Sequence, residues 1–225
     1  MNQLILTNDQ SHSVLSEHFQ VTYHSVFGAI QESRHIFIHA ALDEVLFDHD
    51  VIHVLEIGLG TGLNPLLTLL AADKAKRKVV YTAIEAYPLE LELAKQLNYA
   101  ELLDAPDDVL QKIHSCDWDT FHDLSENFSF RKIQTKLEDW TPDMMFDAIY
   151  FDAFSPDVQP ELWTVEIFEK LFASLNPLGV LTTYSVKGVV KRALKTAGFL
   201  VEKLPGPPGK REMTRGKKEA SVFGL

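Results

Sequence analysis

The 225-residue sequence predicts one α/β fold: a mostly parallel β-sheet with helices on both faces and an antiparallel hairpin at the carboxyl end. Three observations predict it. Apolar, β-branched runs alternate with segments of helical spacing along most of the chain. One such run, Val51-Ile52-His53-Val54-Leu55-Glu56-Ile57, passes through the turn Gly58-Leu59-Gly60-Thr61-Gly62 straight into the leucine-spaced Leu63-Asn64-Pro65-Leu66-Leu67. That is how a buried strand feeds a helix in a doubly wound sheet. Three of the runs end in or beside an acid (Glu56, Glu85 and Asp152). Ligands of open α/β sheets bind at those carboxyl ends.

The elements follow in order. Residues 1–25 hold two strand signals, Leu4-Ile5-Leu6 and Phe19-Gln20-Val21-Thr22-Tyr23, with Ser11-His12-Ser13 as a polar turn between them. Apolar positions at helical spacing (Ile30, Ile36, Phe37, Ala40, Ala41, Val45) predict one or two helices over 27–47, interrupted by the charged Gln31-Glu32-Ser33-Arg34. His35 and His39 share a helical face, but no carboxylate completes a ligand set, so no metal is expected there. After the glycine loop, 74–78 is a charged connector and 79–85 the second strand. Helices are expected from Pro88 through Leu97, from Pro106 with Val109 and Ile113 inward, and around Trp118, Phe121 and Leu124. Strands over 128–137 and 146–152, a helix over 162–175, a strand over 180–184 and a helix over 186–197 ending at Gly198 complete the alternation. The last two strands, 199–204 and 219–223, are expected to form a hairpin around a long loop.

Composition narrows the function. With 46% hydrophobic and 24% charged residues, the chain can build a sizeable core. Cys116 is the only cysteine, which excludes an intrachain disulfide framework and a cysteine metal cluster. No apolar run is long enough to span a bilayer and the first residues do not read as a signal peptide, so the cytoplasm is expected and a membrane is not. The net charge is −11, yet residues 187–225 carry ten Lys/Arg against three acids (+7), leaving eleven against twenty-nine (−18) before them. That asymmetry reads either as a basic patch on an acidic protein or as a chance excess of solvated lysines.

The glycine spacing selects the ligand. A dinucleotide turn, G-x-G-x-x-G, would need glycine where Leu63 stands, and here the third glycine is Gly62. Glu56-x-Gly58-x-Gly60-x-Gly62 instead resembles the first motif of the Rossmann-like, class I S-adenosylmethionine (SAM) methyltransferases. On that reading Glu56, Gly58, Leu59, Gly60, Thr61, Gly62 and Asn64 hold the cofactor. Glu85, 25 residues after Gly60, stands where a carboxylate accepts both ribose hydroxyls. It could equally cap the next helix. Asp152-Ala153-Phe154-Ser155-Pro156 occupies the position where SAM enzymes that methylate nitrogen carry an acid or amide followed by aromatic and proline residues. A primary alkyl amine is mostly protonated at neutral pH, so Asp152 either takes its proton or orients it by hydrogen bonds. As plain structure, Asp152 would be a helix cap, and Phe154 and Pro156 would be packing residues.

Three stretches, together with the glycine loop, make the sequence recognisable. Asp152-Ala-Phe-Ser-Pro-Asp-Val-Gln-Pro-Glu-Leu-Trp163, Gln31-Glu32-Ser33-Arg34 and Gly209-Lys210-Arg211-Glu212-Met213, with the loop Glu56 to Asn64, resemble the MnmC-type tRNA methyltransferase domain from about Ser16 onward. The resemblance implies methylation of the 5-aminomethyl group of (2-thio)uridine at the tRNA wobble position, with Asp152 at the target amine. It also implies a stand-alone, MnmD-like enzyme without flavin, since no second glycine motif follows. Residues 1–48 would be an extension closing over the site of a methyltransferase domain at 49–225, with Tyr23, Glu32 and Arg34 as substrate candidates. Phe154, Pro156 and Trp163 would help hold the unstacked base. The basic end would meet the anticodon region of tRNA, with Lys187, Lys191, Arg192, Lys210, Arg211 and Arg215 as phosphate candidates. A monomer is expected. Relatives can carry Gly-Asp after the third strand where this chain has Thr135-Lys136, so Glu138, Asp139 or main-chain groups would meet the adenine instead. The other readings are a methyltransferase of a small amine or polyamine, and a non-catalytic SAM- or RNA-binding module.

Overall fold

The computed structural model of the chain describes residues 2–47, 49–106 and 108–220. Strands β1 (Gln3–Leu6) and β2 (His12–Leu15) form a small antiparallel pair. The main sheet contains β3 (Val51–Ile57), β4 (Lys78–Glu85), β5 (His122–Ser125), β6 (Phe128–Gln134), β7 (Phe146–Phe151), β8 (Leu175–Thr183), β9 (Leu200–Pro205) and β10 (Glu212–Lys217). Their order is β5-β6-β4-β3-β7-β8-β10-β9. The five central strands from β6 to β8 are parallel, and the edge pairings are antiparallel: β5 with β6, β10 with β8 and β9 with β10. The chain builds outward from β3 through β4 to β6, then returns to lay β7 on the other side of β3. The order therefore reverses between β3 and β7, and a crevice opens above their carboxyl ends.

Alternation along these strands fills two apolar layers. Ile52 and Val54 of β3 and Tyr150 of β7 join the layer made by helix α1 (29–45), α2 (Leu63–Ala75), α3 (Leu91–Ala94), α4 (Tyr99–Leu102) and α5 (Val109–Ser115). Leu55 and Ile57, with Ile149 and Phe151, join the opposite layer under α6 (Val165–Ser174) and α7 (Gly188–Thr196). Buried aromatic rings lock each layer: Phe37 lies 5.2 Å from Tyr150 in the first, and Phe151 lies 4.8 Å from Trp163 in the second. The mixed sheet covered on both faces is the fold class expected from the sequence.

Several local expectations are corrected. The second amino-terminal strand is His12–Leu15, where a turn was expected, and Thr22 of the expected strand 19–23 makes only an isolated bridge to Leu15. The turn lies earlier because the Asp9 carboxylate gathers Thr7 Oγ1 at 2.7 Å and the Ser11 amide at 3.1 Å. Helix α1 is not broken at 31–34. It runs α-helical through Ala29–Ser33, widens to π spacing over Arg34–Leu42 and closes with Asp43–Val45, burying Ile36, Phe37, Ala41 and Leu42. The helix expected from Pro88 shrinks to Leu91–Ala94. The one expected around Trp118 to Leu124 is the edge strand His122–Ser125, whose His122 pairs with Phe130. The strand expected over 180–184 begins earlier, at Leu175, and its register against β7 shifts between Phe146 and Ala148. The last strand is Glu212–Lys217, so the hairpin loop is shorter than expected. Of the expected strand 219–223, residues 221–223 lie outside the described residues.

Arg215 explains that last shift. From β10 its guanidinium donates to Glu202 Oε2 at 2.7 Å, Glu44 Oε2 at 2.8 Å and the Ala40 carbonyl at 3.2 Å, tying the hairpin to α1. Its side chain is only 11% exposed. Arg215 is thus a structural cation and does not stand free to meet phosphate. Arg215→Met should lower the unfolding free energy by about 2–3 kcal/mol, because two half-exposed carboxylates lose a shared donor. Urea denaturation of the two proteins checks this. A change within 0.5 kcal/mol, roughly the scale of an ordinary surface substitution, would show that the pairs are not coupled to folding.

Candidate active site

The cavity above the carboxyl ends of β3, β4 and β7 has a volume of about 350 Å³, within the roughly 300–1,000 Å³ of small-molecule sites. The glycine loop forms its floor. Gly58, Gly60 and Gly62 have φ of +91°, +49° and +73°, backbone that side chains with a Cβ rarely adopt. The loop is hung on its neighbours: the Gly58 amide donates to the Ile84 carbonyl at 2.9 Å, and the Asp152 amide donates to the Ile57 carbonyl at 3.0 Å. A Cβ on Gly58 would lie 3.1 Å from the Asp152 carbonyl, and one on Gly60 would lie 2.9 Å from the Tyr23 ring. The loop therefore lies directly beneath β7's end on one side and the amino-terminal segment on the other.

Three acids surround this floor. Glu85 closes β4 and is buried, yet lines the cavity; its Oε2 accepts from the Gly60 amide at 2.9 Å and its Oε1 from the Tyr87 amide at 2.7 Å. Each oxygen keeps a lone pair for a ribose hydroxyl. Glu56 lies deeper, fully buried at the foot of the loop. Asn64, the second residue of α2, joins it to Asp152: one carboxamide nitrogen donates to Glu56 Oε1 at 2.8 Å and to Asp152 Oδ2 at 2.9 Å. Burial pushes the carboxyls of Glu56 and Asp152 well above the usual range. The Asn64 donor opposes the shift in both; the Asp152 charge adds to it at Glu56, and the Glu32 charge at Asp152.

Behind the loop, two histidines grip Thr61. His24 Nε2 is 2.8 Å from Thr61 Oγ1, and His114 Nε2 is 3.0 Å from the Thr61 carbonyl. Burial holds both imidazoles near neutral down to low pH, with pKa values of about 4.

The remaining predicted residues divide. Tyr23, Glu32, Phe154 and Lys210 line the cavity, as do Leu59, Thr61 and Asn64. Tyr23 and Phe154 meet at 5.0 Å and Phe19 joins Phe154 at 4.5 Å, making an aromatic wall. Trp163 is buried behind that wall, donating from Nε1 to the Phe154 carbonyl at 2.8 Å, so it braces the loop from outside the cavity. Pro156 sits in the following turn and is half-buried. Gly62 is buried under His114. Arg34, Lys187, Arg192 and Arg211 are exposed, with Lys187 paired to Asp157. Lys191 reaches Glu212 at 3.4 Å. Of the adenine candidates, Thr135, Lys136 and Glu138 are in the wall, and Asp139 turns back to donate its amide to the Lys136 carbonyl at 3.1 Å.

Tyr184, Phe19 and His24 also line the cavity without having been singled out as site residues, although Tyr184 ends a predicted strand. The rule that ligands meet strand ends would have found it. Among the described residues no group of three or more His, Cys, Asp or Glu side chains could hold a metal ion. The glycine cradle, the free lone pairs of Glu85 and the adjacent polar wall fit a nucleoside cofactor such as SAM.

Residues 85–219 match the family described as S-adenosyl-L-methionine-dependent methyltransferase. The chain is 31% identical over 230 residues to the tRNA 5-methylaminomethyl-2-thiouridine biosynthesis bifunctional protein MnmC of Cupriavidus metallidurans, covering 93% of this chain and 33% of that one. It is 29% identical over 208 residues to the protein of the same name in Paraburkholderia xenovorans, covering 87% and 32%. The chain thus spans about a third of the length of these relatives. The crystal structure of MNMC2 from Aquifex aeolicus has the same fold, with a TM-score of 0.77 at 24% identity over 100% of this chain and 73% of that one. Spermidine synthase from Thermotoga maritima shares it at 0.57 and 15%, over 98% and 74%.

The buried histidines give a pH test. Their folded pKa of about 4 lies below the ordinary imidazole value of 6.5, so the unfolded chain binds their protons first. The stability they contribute is fully present above pH 6.5 and is lost as pH falls towards 4, by roughly 3 kcal/mol for each. Glu56 and Asp152 act in the opposite sense but are common to wild type and variant. His24→Gln should therefore lose less stability than wild type between pH 7 and pH 4.5 in urea denaturation, and parallel losses would contradict the assignment.

Proposed function

The chain belongs to the S-adenosyl-L-methionine-dependent methyltransferase family, and from that premise we propose that it methylates the amine of 5-aminomethyl-(2-thio)uridine at the tRNA wobble position. The observation that carries this reading is the placing of Asp152. Its half-buried carboxylate faces the cavity beside the glycine loop, oriented by Asn64 at 2.9 Å and flanked by Glu32 and by the Tyr23–Phe154 wall. The name of the relatives, a tRNA 5-methylaminomethyl-2-thiouridine biosynthesis protein, supports the substrate.

When bound, SAM supplies a methyl group on a sulfonium that a nitrogen lone pair can attack in line. Glu85 would hold its ribose, the Gly58–Gly62 backbone its polar end, and the 135–138 wall its base. The target arrives as an ammonium. Asp152 accepts a proton from it and holds the neutral amine with its lone pair aimed at the cofactor; the upward shift of its carboxyl matches it to that exchange. Phe154, Phe19 and Tyr23 would cover the uracil ring and exclude water. Holding the two partners together supplies more of the rate than the proton transfer does. Residues 1–48 form the closing segment in this proposal, with one chain as the working unit in the cytoplasm. The transfer moves a methyl cation and changes no oxidation state, so this mechanism needs no flavin, and it assigns no step to a metal. The exposed Lys187, Arg192 and Arg211 would meet phosphates, so binding weakens with salt. No helix among the described residues is long and apolar enough to cross a membrane.

The test is nucleoside mass spectrometry of tRNA carrying 5-aminomethyl-2-thiouridine after incubation with the protein and SAM. A gain of one methyl on that nucleoside is expected. No gain while SAM binds would remove tRNA and point to small amines, which the acidic cavity would also attract. Asp152→Asn should lower the methylation rate at least about a hundredfold and leave SAM affinity within a few-fold. Full turnover in that variant would remove Asp152 from the chemistry.

A further inference from the structure

Lys210 stands apart from the other cations of the basic end. The β9–β10 connection turns tightly there, with the Lys210 amide donating to the Pro207 carbonyl at 2.9 Å and the Gly206 amide to the Arg211 carbonyl at 3.2 Å. The turn is seated on the amino-terminal segment: His35 Nε2 is 2.8 Å from the Pro205 carbonyl, and a Cβ on Gly209 would lie 2.7 Å from the Phe27 ring. Arg211 points outward, but Lys210 turns back over the cavity. Its ammonium pairs with Glu32 and lies 4.7 Å above the Tyr184 ring. Glu32 is itself fixed, its other oxygen accepting from the Ser25 amide at 2.8 Å.

An ammonium on an alkyl stem, paired with a carboxylate and resting on an aromatic face, is chemically what the aminomethyl substrate would present to the same residues. We propose that Lys210 is a specificity-determining residue: its ammonium occupies the amine subsite of the free protein and leaves when a nucleic-acid phosphate draws it away. A free amine or nucleoside would have to break the Lys210–Glu32 pair and leave the lysine without its carboxylate partner. A tRNA supplies the replacement anion in the same step, and the vacated Glu32 then faces the incoming ammonium together with Asp152. Discrimination comes from a penalty on the wrong substrate as much as from attraction to the right one. This inference rests on the tRNA reading above.

The experiment compares kcat/KM on tRNA bearing 5-aminomethyl-uridine with kcat/KM on the free 5-aminomethyl-uridine nucleoside, for wild type, Lys210→Met and Lys210→Arg, each checked by thermal melting. Lys210→Met should raise the nucleoside-to-tRNA ratio by about tenfold or more, through a lower nucleoside KM at similar kcat and a higher tRNA KM. Lys210→Arg should restore the wild-type ratio to within a few-fold. A parallel loss on both substrates in Lys210→Met would overturn the guard role while leaving the tRNA reading intact. A wild type that fails on the tRNA itself would overturn both.

Discussion

One carboxamide holds two carboxylates together, Glu56 fully buried and Asp152 half-buried at the cavity. Asn64 donates to Glu56 at 2.8 Å and to Asp152 at 2.9 Å, and in both it opposes the upward push that burial puts on the carboxyl. The bridge is possible because β3 and β7 are adjacent and parallel, with Glu56 level with Tyr150, and because α2 begins immediately after the glycine loop. Strand order, loop length and helix start all serve to place those three side chains. The acid at the foot of the cofactor loop and the acid proposed to meet the amine are therefore a single electrostatic unit. A change at either is felt at the other through burial and like charge.

Charge is the second constraint, and it is used more sparingly than the sequence count implied. Much of the basic end is spent internally: Arg215 and Lys217 bind Glu44, and Lys218 donates to the carbonyls of Phe172 at 2.9 Å and Leu175 at 2.7 Å. These cations attach the hairpin to the rest of the fold. What remains outward is a small set, Lys187, Arg192 and Arg211 among it, on a protein that is otherwise acidic. Such a surface admits an anion in one orientation and repels it elsewhere.

The parts of the fold legible in the sequence were those where one short-range signal dominates. The β3-loop-α2 unit was visible because three glycines, an apolar run and helical leucines coincide within twenty residues, and the strand-end acids followed from it. Lost were elements decided by partners far along the chain. The 118–124 stretch has helix-like spacing of Trp118, Phe121 and Leu124, but pairing with β6 makes its second half a strand. Ser11-His12-Ser13 looked like a turn because its serines are polar; the Ser13 hydroxyl accepts instead from the buried His24 amide at 3.1 Å. In the site, Glu85, Asp152 and the glycines were readable from position. His24 and Phe19 were not, because their place depends on how the amino-terminal segment folds back over the loop. Arg215 misled for the same reason: a charge count does not show that Glu44 and Glu202 are waiting.

The most direct test of the shared bridge is the pH dependence of methyl transfer at saturating SAM in Asn64→Leu, measured beside SAM affinity. If Asn64 serves both acids, SAM affinity falls and the acidic limb of the rate profile moves to higher pH, because Asp152 loses the donor that holds its carboxyl down. Weaker SAM binding with an unmoved acidic limb would contradict the account and leave Asn64 a residue of the cofactor loop alone.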